Sequence, residues 1–277
     1  MRMADDGFLR SLFALDGKVA LVTGGGVGLG RIMASALARA GATVLICSRK
    51  ADACVEAAVE IDAQLGRKAV HAFAGDVGSA AGVAALAAAV RDRTERLDIL
   101  VNNAGTTWGA GFEEFPWNGW DRVLSVNVQG GFALTQALMP MLEEAGSPDD
   151  PSRIVNVGSV MGTVPFADDA FSYMASKAAV HHLTQMLARR FVRRHVTVNA
   201  LAPGLFETRM TAFATGADPD AGHPSVPMDR LGRAADLAAA LLHLTGPGGA
   251  YVTGAIVPVD GGMAIDPPHR MYPPEPA

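Results

Sequence analysis

The alternation of strand-like and helix-like segments is the feature that most constrains the fold of this chain. Short apolar runs suited to buried strands alternate with Ala- and Leu-rich stretches along most of the 277 residues. The predicted strands are Val19–Thr23, Thr43–Cys47, Ala69–Ala74, Ile99–Val101, Arg153–Val157, Val196–Ala200 and Ala255–Val259. Strands that are separated by helices run parallel and are covered on both faces. The sequence therefore predicts an α/β fold: a single doubly wound Rossmann-type domain with a central parallel sheet and helices on both faces.

The expected domain covers residues 15–264, between an N-terminal extension (1–14) and a Pro-rich C-terminal tail (265–277). Two long helices are expected, near Trp117–Glu144 and Tyr173–Arg193. Residues 208–229 are rich in Gly, Pro and Asp and directly follow a strand end, where ligands of α/β sheets bind. We expect this segment to be a substrate lid.

The composition argues against several classes of protein. The net charge is −5, and the pI near 5.8 with no basic block argues against nucleic-acid binding. Only two cysteines occur, Cys47 and Cys54, without metal-ligand or CxxC spacing, so we expect a reducing cytoplasmic setting and no metal. The uncharged stretches 123–142 and 237–259 are interrupted by polar residues or by Gly and Pro, so no membrane segment is expected.

A Gly-rich turn follows the first predicted strand. Gly24, Gly28 and Gly30 have the spacing G-x-x-x-G-x-G and lead into a helix. Glycine lets backbone N–H groups approach an anion closely, and the start of a helix adds partial positive charge. Such turns are common alone, but a strand before and a helix after are typical of a dinucleotide pyrophosphate site.

The end of the second strand distinguishes between cofactors. An acidic residue there would bind the adenosine ribose of NAD. This chain has Ser48 and Arg49, followed by Lys50, and an arginine fork matches a ribose 2′-phosphate. The sequence thus favours NADP(H); the alternative is an exposed basic pair at a helix start. Asp76-Val77 and Asn103-Ala104-Gly105 follow the next two strands, where they could contact the adenine and ribose or simply form turns.

Tyr173 and Lys177 are four residues apart in a predicted helix and therefore share one face. An ammonium beside a phenol would lower its pKa from about 10 toward the pH at which a proton donor works best. Lysine shifts its pKa readily on burial and is not interchangeable with arginine. A dinucleotide with a tuned phenol points to hydride transfer at an oxygen-bearing carbon; the alternative is a surface pair of small energetic effect.

These segments, in this order, resemble the short-chain dehydrogenase/reductase superfamily over roughly residues 15–262. The parts that carry the resemblance are Thr23-Gly24…Gly28-Leu29-Gly30, Asp76, Asn102-Asn103-Ala104-Gly105, Asn127, Ser159, Tyr173…Lys177 and Pro203-Gly204…Thr208.

The resemblance implies four catalytic residues. Tyr173 would be the general acid in reduction and the base in oxidation, and Lys177 would lower its pKa and hold the nicotinamide ribose. Ser159 would hydrogen-bond the substrate carbonyl, unless it only caps local backbone. Asn127 would anchor a water that relays protons to Lys177.

The cofactor site implied by motif and resemblance is larger. It comprises Gly24, Gly26, Val27, Gly28, Leu29, Ser48, Arg49, Lys50, Asp76, Val77, Asn103, Ala104, Gly105, Tyr173, Lys177, Pro203, Gly204, Phe206 and Thr208. Many NADP-preferring relatives carry a basic residue within the Gly turn, where this chain has Val27. The 2′-phosphate would then rest on Arg49, with Lys50 beside it.

The substrate is less constrained. The expected pocket walls are apolar: Trp108, Met161, Phe166, Met210 and Phe213, with Phe206 beside them. Residues 106–110, 145–152 and 158–162 look similar to β-ketoacyl reductases of the rhamnolipid-associated type. We therefore expect reduction of a 3-oxoacyl thioester or another hydrophobic ketone. A polyol or sugar-acid dehydrogenase, another secondary alcohol dehydrogenase and a non-catalytic NADP-binding regulatory protein remain open.

The resemblance also implies assembly of several copies of the chain. Relatives form dimers or tetramers through the two long helices, so we expect a homo-oligomer, with a homotetramer as the specific expectation.

Overall fold

The sheet has the predicted parallel architecture. The computed structural model describes residues 6–207 and 225–268, and within them seven parallel strands lie in the order β3-β2-β1-β4-β5-β6-β7. They are β1 (Val19–Thr23), β2 (Thr43–Ser48), β3 (Val70–Ala74), β4 (Ile99–Asn102), β5 (Ser152–Val157), β6 (Val196–Pro203) and β7 (Ile256–Val259). The predicted α/β class and Rossmann-type sheet are confirmed.

Helices connect the strands and cover the sheet. They are α1 (Asp6–Phe13), α2 (Gly28–Arg39), α3 (Ala51–Leu65), α4 (Ala80–Arg91), α5 (Trp117–Leu124), α6 (Gly131–Ala145), α7 (Phe171–Phe191) and α8 (Ala234–Thr245). A π-helical segment, Ser125–Gly130, joins α5 to α6, so the long helix expected from Trp117 to Glu144 is nearly continuous. A 3₁₀ turn, Val160–Gly162, follows β5.

Alternating side chains of the strands build a core on each face of the sheet. Val22 and Ile46 pack with α2, α3 and α8, whereas Leu21 and Leu45 pack with α4, α6 and α7. Burial on both faces explains why the strands are apolar runs rather than alternating polar and apolar residues.

The strand order places the candidate site residues along one edge. β1 is flanked by β2 and β4, so the chain reverses its direction of winding between β1 and β4 and opens a crevice at the carboxyl ends of these strands. The Gly-rich turn, Arg49 and Asn103 directly follow β1, β2 and β4, and Asp76 is the second residue after β3. Ser159 follows β5 at the same edge.

The N-terminal extension includes a helix that the sequence analysis did not predict. α1 lies against the turn after α8, where a Cβ added to Gly246 would be 2.5 Å from the carbonyl oxygen of Leu12. Thr208, Met210, Phe213, most of the expected lid and most of the tail lie outside the described residues.

No helix in the part of the chain that the structure describes is long and apolar enough to span a membrane. The same residues contain no group of three His, Cys, Asp or Glu side chains arranged to hold a metal ion.

Candidate active site

The Gly-rich turn has a backbone conformation that strongly favours glycine. Gly24 and Gly28 have positive φ angles of 66° and 52°. A Cβ on Gly30 would lie 2.1 Å from the carbonyl oxygen of Gly24. Val27, the residue before α2, contributes no side-chain cap, which suits a helix start that receives an anion at its backbone N–H groups. The turn therefore fits the pyrophosphate of a dinucleotide.

Hydrogen bonds from the end of β4 brace this turn. The Asn103 amide nitrogen donates to the carbonyl oxygens of Thr23 (2.8 Å) and Gly24 (3.2 Å). The Thr23 hydroxyl accepts the backbone N–H groups of Asn103 and Ala104, both at 3.0 Å. The side chain of Asn103 thus holds the turn in place. Sequence reasoning missed Thr23 as its partner, because the bonds join residues about 80 positions apart.

Basic side chains are exposed beyond β2. The Ser48 hydroxyl donates to the carbonyl oxygen of Lys50 at 2.5 Å, which shapes the connection into α3. Arg49 and Lys50 are both exposed at this edge of the sheet. Their charges are accessible to a phosphate.

In the segment after β3, an acidic side chain hydrogen-bonds the backbone of the same segment. Asp76 accepts the backbone N–H of Gly78 at 3.0 Å, and Val77 is buried. A Cβ on Gly130 would lie 2.2 Å from the Val77 carbonyl oxygen, so the π-helical segment packs tightly against this connection.

Asn127 lies in that π-helical segment and is buried. Its side-chain oxygen accepts the backbone N–H of Thr106 at 2.8 Å, and its nitrogen donates to the Thr106 carbonyl at 3.0 Å and to the Ser176 hydroxyl at 2.9 Å. A Cβ on Gly105 would be 3.4 Å from the Asn127 oxygen and 3.8 Å from Lys177 Nζ. Asn127 and Lys177 therefore border the same small space.

Ser159, Tyr173 and Lys177 come together at the carboxyl end of β5. Ser159 precedes the Val160–Gly162 turn, and its side chain lies near enough to the Tyr173 phenol to lower the pKa of that phenol. Lys177 Nζ lies 5.4 Å from the centre of the Tyr173 ring and donates to the Val157 carbonyl at 2.7 Å. The helical spacing of four residues thus brings cation and phenol together as predicted from the sequence.

The charges of this cluster are shifted by burial. Burial raises the pKa of the Tyr173 phenol, and the Ser159 side chain only partly opposes that effect. Burial also lowers the pKa of Lys177 to about 8. The expected net lowering of the Tyr173 pKa by Lys177 is therefore wrong for the free protein, since desolvation of the phenol has the larger effect.

The cofactor-site residues predicted around the end of β6 lie in different surroundings. The Gly204 N–H donates to the Val259 carbonyl at 3.0 Å, which ties the end of β6 to β7, and Pro203 is the last residue of β6. Phe206 is buried in the core against Gly232, where an added Cβ would be 2.6 Å from its ring.

A cleft of about 740 Å³ with mainly apolar walls lies beside the start of α7. Met161 and Phe166, two of the residues predicted for the substrate pocket, line this cleft. Trp108 instead packs against Gly119, and the Arg122 guanidinium lies 5.7 Å from its ring. Sequence reasoning missed four further aromatic residues that line the cleft, which are Phe112, Phe115, Trp120 and Phe171.

The crevice, the glycine turn and the Ser159–Tyr173–Lys177 cluster together define a class of protein: an oxidoreductase that uses a dinucleotide on CH–OH or C=O groups. The family model described as "short chain dehydrogenase" matches residues 18–218. The chain therefore belongs to the short-chain dehydrogenase family.

Relatives with known names agree with this assignment. The chain is 44% identical over 256 residues to the rhamnolipids biosynthesis 3-oxoacyl-[acyl-carrier-protein] reductase of Pseudomonas aeruginosa, covering 91% of this chain and 98% of the relative. It is 39% identical over 265 residues to a galactitol 2-dehydrogenase (L-tagatose-forming) of Cereibacter sphaeroides, covering 92% and 98%. The solved Pseudomonas aeruginosa RhlG/NADP active-site complex matches with a TM-score of 0.86 and 43% identity, over 92% of this chain and 99% of that one.

Proposed function

We propose that this protein is an NADPH-dependent reductase that converts a ketone into a secondary alcohol. The substrate in this proposal is a 3-oxoacyl thioester or another hydrophobic ketone. The observation that carries the proposal is the grouping of Ser159, Tyr173 and Lys177, with an apolar cleft along the adjoining turn.

Each side chain of the cluster has one task in the proposed reduction. NADPH, when bound, supplies a hydride to the carbonyl carbon. Ser159 and Tyr173 hydrogen-bond the carbonyl oxygen, and Tyr173 donates its proton to that oxygen as it gains charge. The phenol is protonated at neutral pH, as a proton donor must be, and burial raises its pKa further above its ordinary value. With a pKa of about 8, Lys177 is mostly cationic at pH 7 and stabilises the developing phenolate.

Asn127 also has a role in the proposed reaction. In the proposal it anchors a water that relays a proton to Lys177. Its position beside Lys177 at the space above Gly105 supports that role, while its hydrogen bonds to Thr106 and Ser176 hold it in place.

The preference for NADPH rests on charge at the end of β2. Arg49 is exposed there, and a guanidinium binds a phosphate through paired hydrogen bonds. Lys50 adds a second positive charge, and no acidic side chain occupies positions 48–50. The NADP named in the matching RhlG complex supports the same choice.

An apolar substrate is favoured by the walls of the cleft. Met161, Phe166 and Phe171 suit an acyl chain, and the relative named as a 3-oxoacyl-[acyl-carrier-protein] reductase supports a thioester. A second candidate is the oxidation of a polyol, which the relative named galactitol 2-dehydrogenase supports.

We further propose that residues 15–264 form the working domain, that the protein resides in the cytoplasm, and that it is a homo-oligomer, specifically a homotetramer. Apolar side chains support assembly: Trp117 on α5, Phe132 on α6 and Met186 on α7 are 80%, 42% and 56% exposed. Aromatic residues and methionine are enriched in contacts between subunits.

The test is NADPH oxidation with 3-oxoacyl thioesters of graded length, apolar diketones and, in the reverse direction, polyols with NADP. Tyr173→Phe should lower kcat by about 10²- to 10⁴-fold, the usual contribution of a general acid. Tyr251→Phe is the matched control, because Tyr251 is fully exposed. Turnover that rises with acyl length supports the thioester; activity on polyols alone would replace it with the second candidate. Unchanged turnover in Tyr173→Phe would contradict the proposed proton donor.

A further inference from the structure

We propose that His181 is a positioning residue for this reaction, which holds the turn that carries Ser159 and thereby aims the Ser159 hydroxyl at Tyr173. The inference rests on the proposed function. It concerns a buried histidine on α7 that lies one helical turn beyond Lys177 and hence on the same face.

The imidazole contacts both ends of the turn after β5. His181 Nε2 accepts the backbone N–H of Ser159 at 3.4 Å, and the ring also lies near the backbone of Gly162, which acts on the pKa of His181. One side chain therefore spans the whole Val160–Gly162 turn.

Gly158 provides the space for this contact. A Cβ at position 158 would lie 2.1 Å from His181 Nε2, closer than any nonbonded approach allows. The imidazole thus packs directly on the backbone that leads from β5 into Ser159. A side chain at position 158 would force the ring away.

The hydrogen bond requires a neutral ring. An imidazole that accepts at Nε2 carries its single proton at Nδ1. Burial and the nearby charge of Lys177 both lower the pKa of His181 and so favour this state at neutral pH.

Short-range bonds within the turn also hold it. The Ser159 hydroxyl accepts the backbone N–H of Met161 at 3.2 Å, and the Ser159 carbonyl accepts that of Gly162 at 2.9 Å. His181 adds a hydrogen bond between the backbone of Ser159 and α7, the helix that carries Tyr173. Without it, the buried N–H of Ser159 lacks its acceptor and the turn can shift relative to the phenol. A displacement of about 1 Å at a reacting group can cost about a hundredfold in rate.

The experiment compares His181→Leu with His181→Gln. Leucine fills the space without an acceptor, whereas the glutamine oxygen can take the place of Nε2. We expect His181→Leu to lower kcat for the ketone about ten- to a hundredfold, with NADPH affinity within about twofold of wild type. His181→Gln should recover kcat to within about threefold of wild type. Equal kcat in wild type and His181→Leu, or equal losses in both variants, would overturn the proposal.

A second measurement is independent of turnover and of the folding of the leucine variant. The ¹⁵N spectrum of histidine-labelled wild type at pH 7, with His181 assigned by its absence from His181→Gln, should show Nε2 unprotonated and Nδ1 protonated. A ring protonated at Nε2 would overturn the proposal, whatever the activity. Failure of wild type to reduce any ketone would instead count against the proposed function, so the two failures are distinguishable.

Discussion

Lys177 is nearly fully buried, and its position between β5 and the Tyr173 ring determines its charge at the pH of the reaction. Its ammonium donates to a backbone carbonyl, but no carboxylate offsets its burial in the described part of the chain. Desolvation is the cause of the lowered pKa. A cation held this way is available to the phenol and to a bound ribose, at a cost in stability.

That cost predicts a pH dependence of folding. The pKa of Lys177 falls from 10.5 to about 8 on folding, so between these values the unfolded chain binds more protons than the folded one. The contribution of Lys177 to the free energy of unfolding therefore rises with pH across that window, by about 2 kcal/mol between pH 7 and 9.5. The raised pKa values of Cys47 and Cys54 act in the opposite direction, because their thiols ionise first in the unfolded chain.

The control for this prediction is Lys177→Met, in which the thiol effects persist and the lysine effect is absent. Urea unfolding at fixed protein concentration gives both free energies of unfolding. The difference, wild type minus variant, should increase from pH 7 to 9.5. A difference that stays flat would mean that Lys177 keeps an ordinary pKa.

The expected preference for NADPH over NADH depends on Arg49. Arg49→Asp should weaken NADPH binding by at least about tenfold, because a charged hydrogen-bond pair is replaced by repulsion of the 2′-phosphate. NADH, which lacks that phosphate, should lose less or gain. Cofactor fluorescence titration measures both affinities.

Lys68→Asp is the matched control, because it also replaces a basic residue by an acidic one. Lys68 lies just before β3, at the amino ends of the strands and away from the candidate site, so this variant should leave the ratio of NADPH to NADH affinity as in wild type. If Arg49→Asp also leaves that ratio unchanged, Arg49 is not part of the phosphate site.

Some residues of the site could be predicted from the sequence and others could not. The pair of Tyr173 and Lys177 could be predicted because helical spacing alone puts them on one face. His181 could not, because its partners are backbone groups of a turn about 20 residues earlier in the chain. The one available signal was its position four residues after Lys177, combined with a glycine before Ser159.

At the scale of elements, the Gly-rich turn and the start of α2 form a unit whose packing tolerates no side chain. Gly30→Ala would put a Cβ 2.1 Å from the Gly24 carbonyl oxygen and 2.5 Å from the Asn103 amide nitrogen. We expect a loss of about 1 to 3 kcal/mol in the free energy of unfolding and weaker NADPH binding, since the turn must shift.

Gly111→Ala is the matched control, because an added Cβ there meets no atom within 4 Å. Thermal unfolding and cofactor titration of both variants check the prediction. Equal stability and affinity in the two variants would show that the turn accommodates a side chain.

Element types were more predictable than their ends. β1 was predicted with its observed bounds, whereas β6 runs three residues beyond its predicted end, to Pro203. That extension pairs with β7, a contact between distant segments that local sequence does not encode. The π-helical segment around Asn127 is likewise stabilised by bonds to Thr106 and Ser176, so a helical pattern alone could not reveal it.

At the scale of the whole molecule, the order of elements determines the site. Because parallel strands end at one edge, residues from six loops meet there, and the architecture could be predicted from alternation alone. The apolar cleft could not, since its aromatic residues come from the separate segments 112–120 and 166–171. Cleft shape depends on how loops pack, which no periodic pattern records.

Assembly is the remaining property at this scale. Met186 is 56% exposed on α7, and Val59, of similar exposure at 63%, lies on α3 across the sheet. If α7 contacts a second copy, Met186→Glu buries a charge in the interface and should shift the species in solution toward monomer. Val59→Glu should leave the mass unchanged, because α3 is not expected at a contact. Light scattering coupled to size-exclusion chromatography distinguishes these outcomes. A wild-type monomer, or equal masses for wild type and both variants, would remove α7 from the proposed interface.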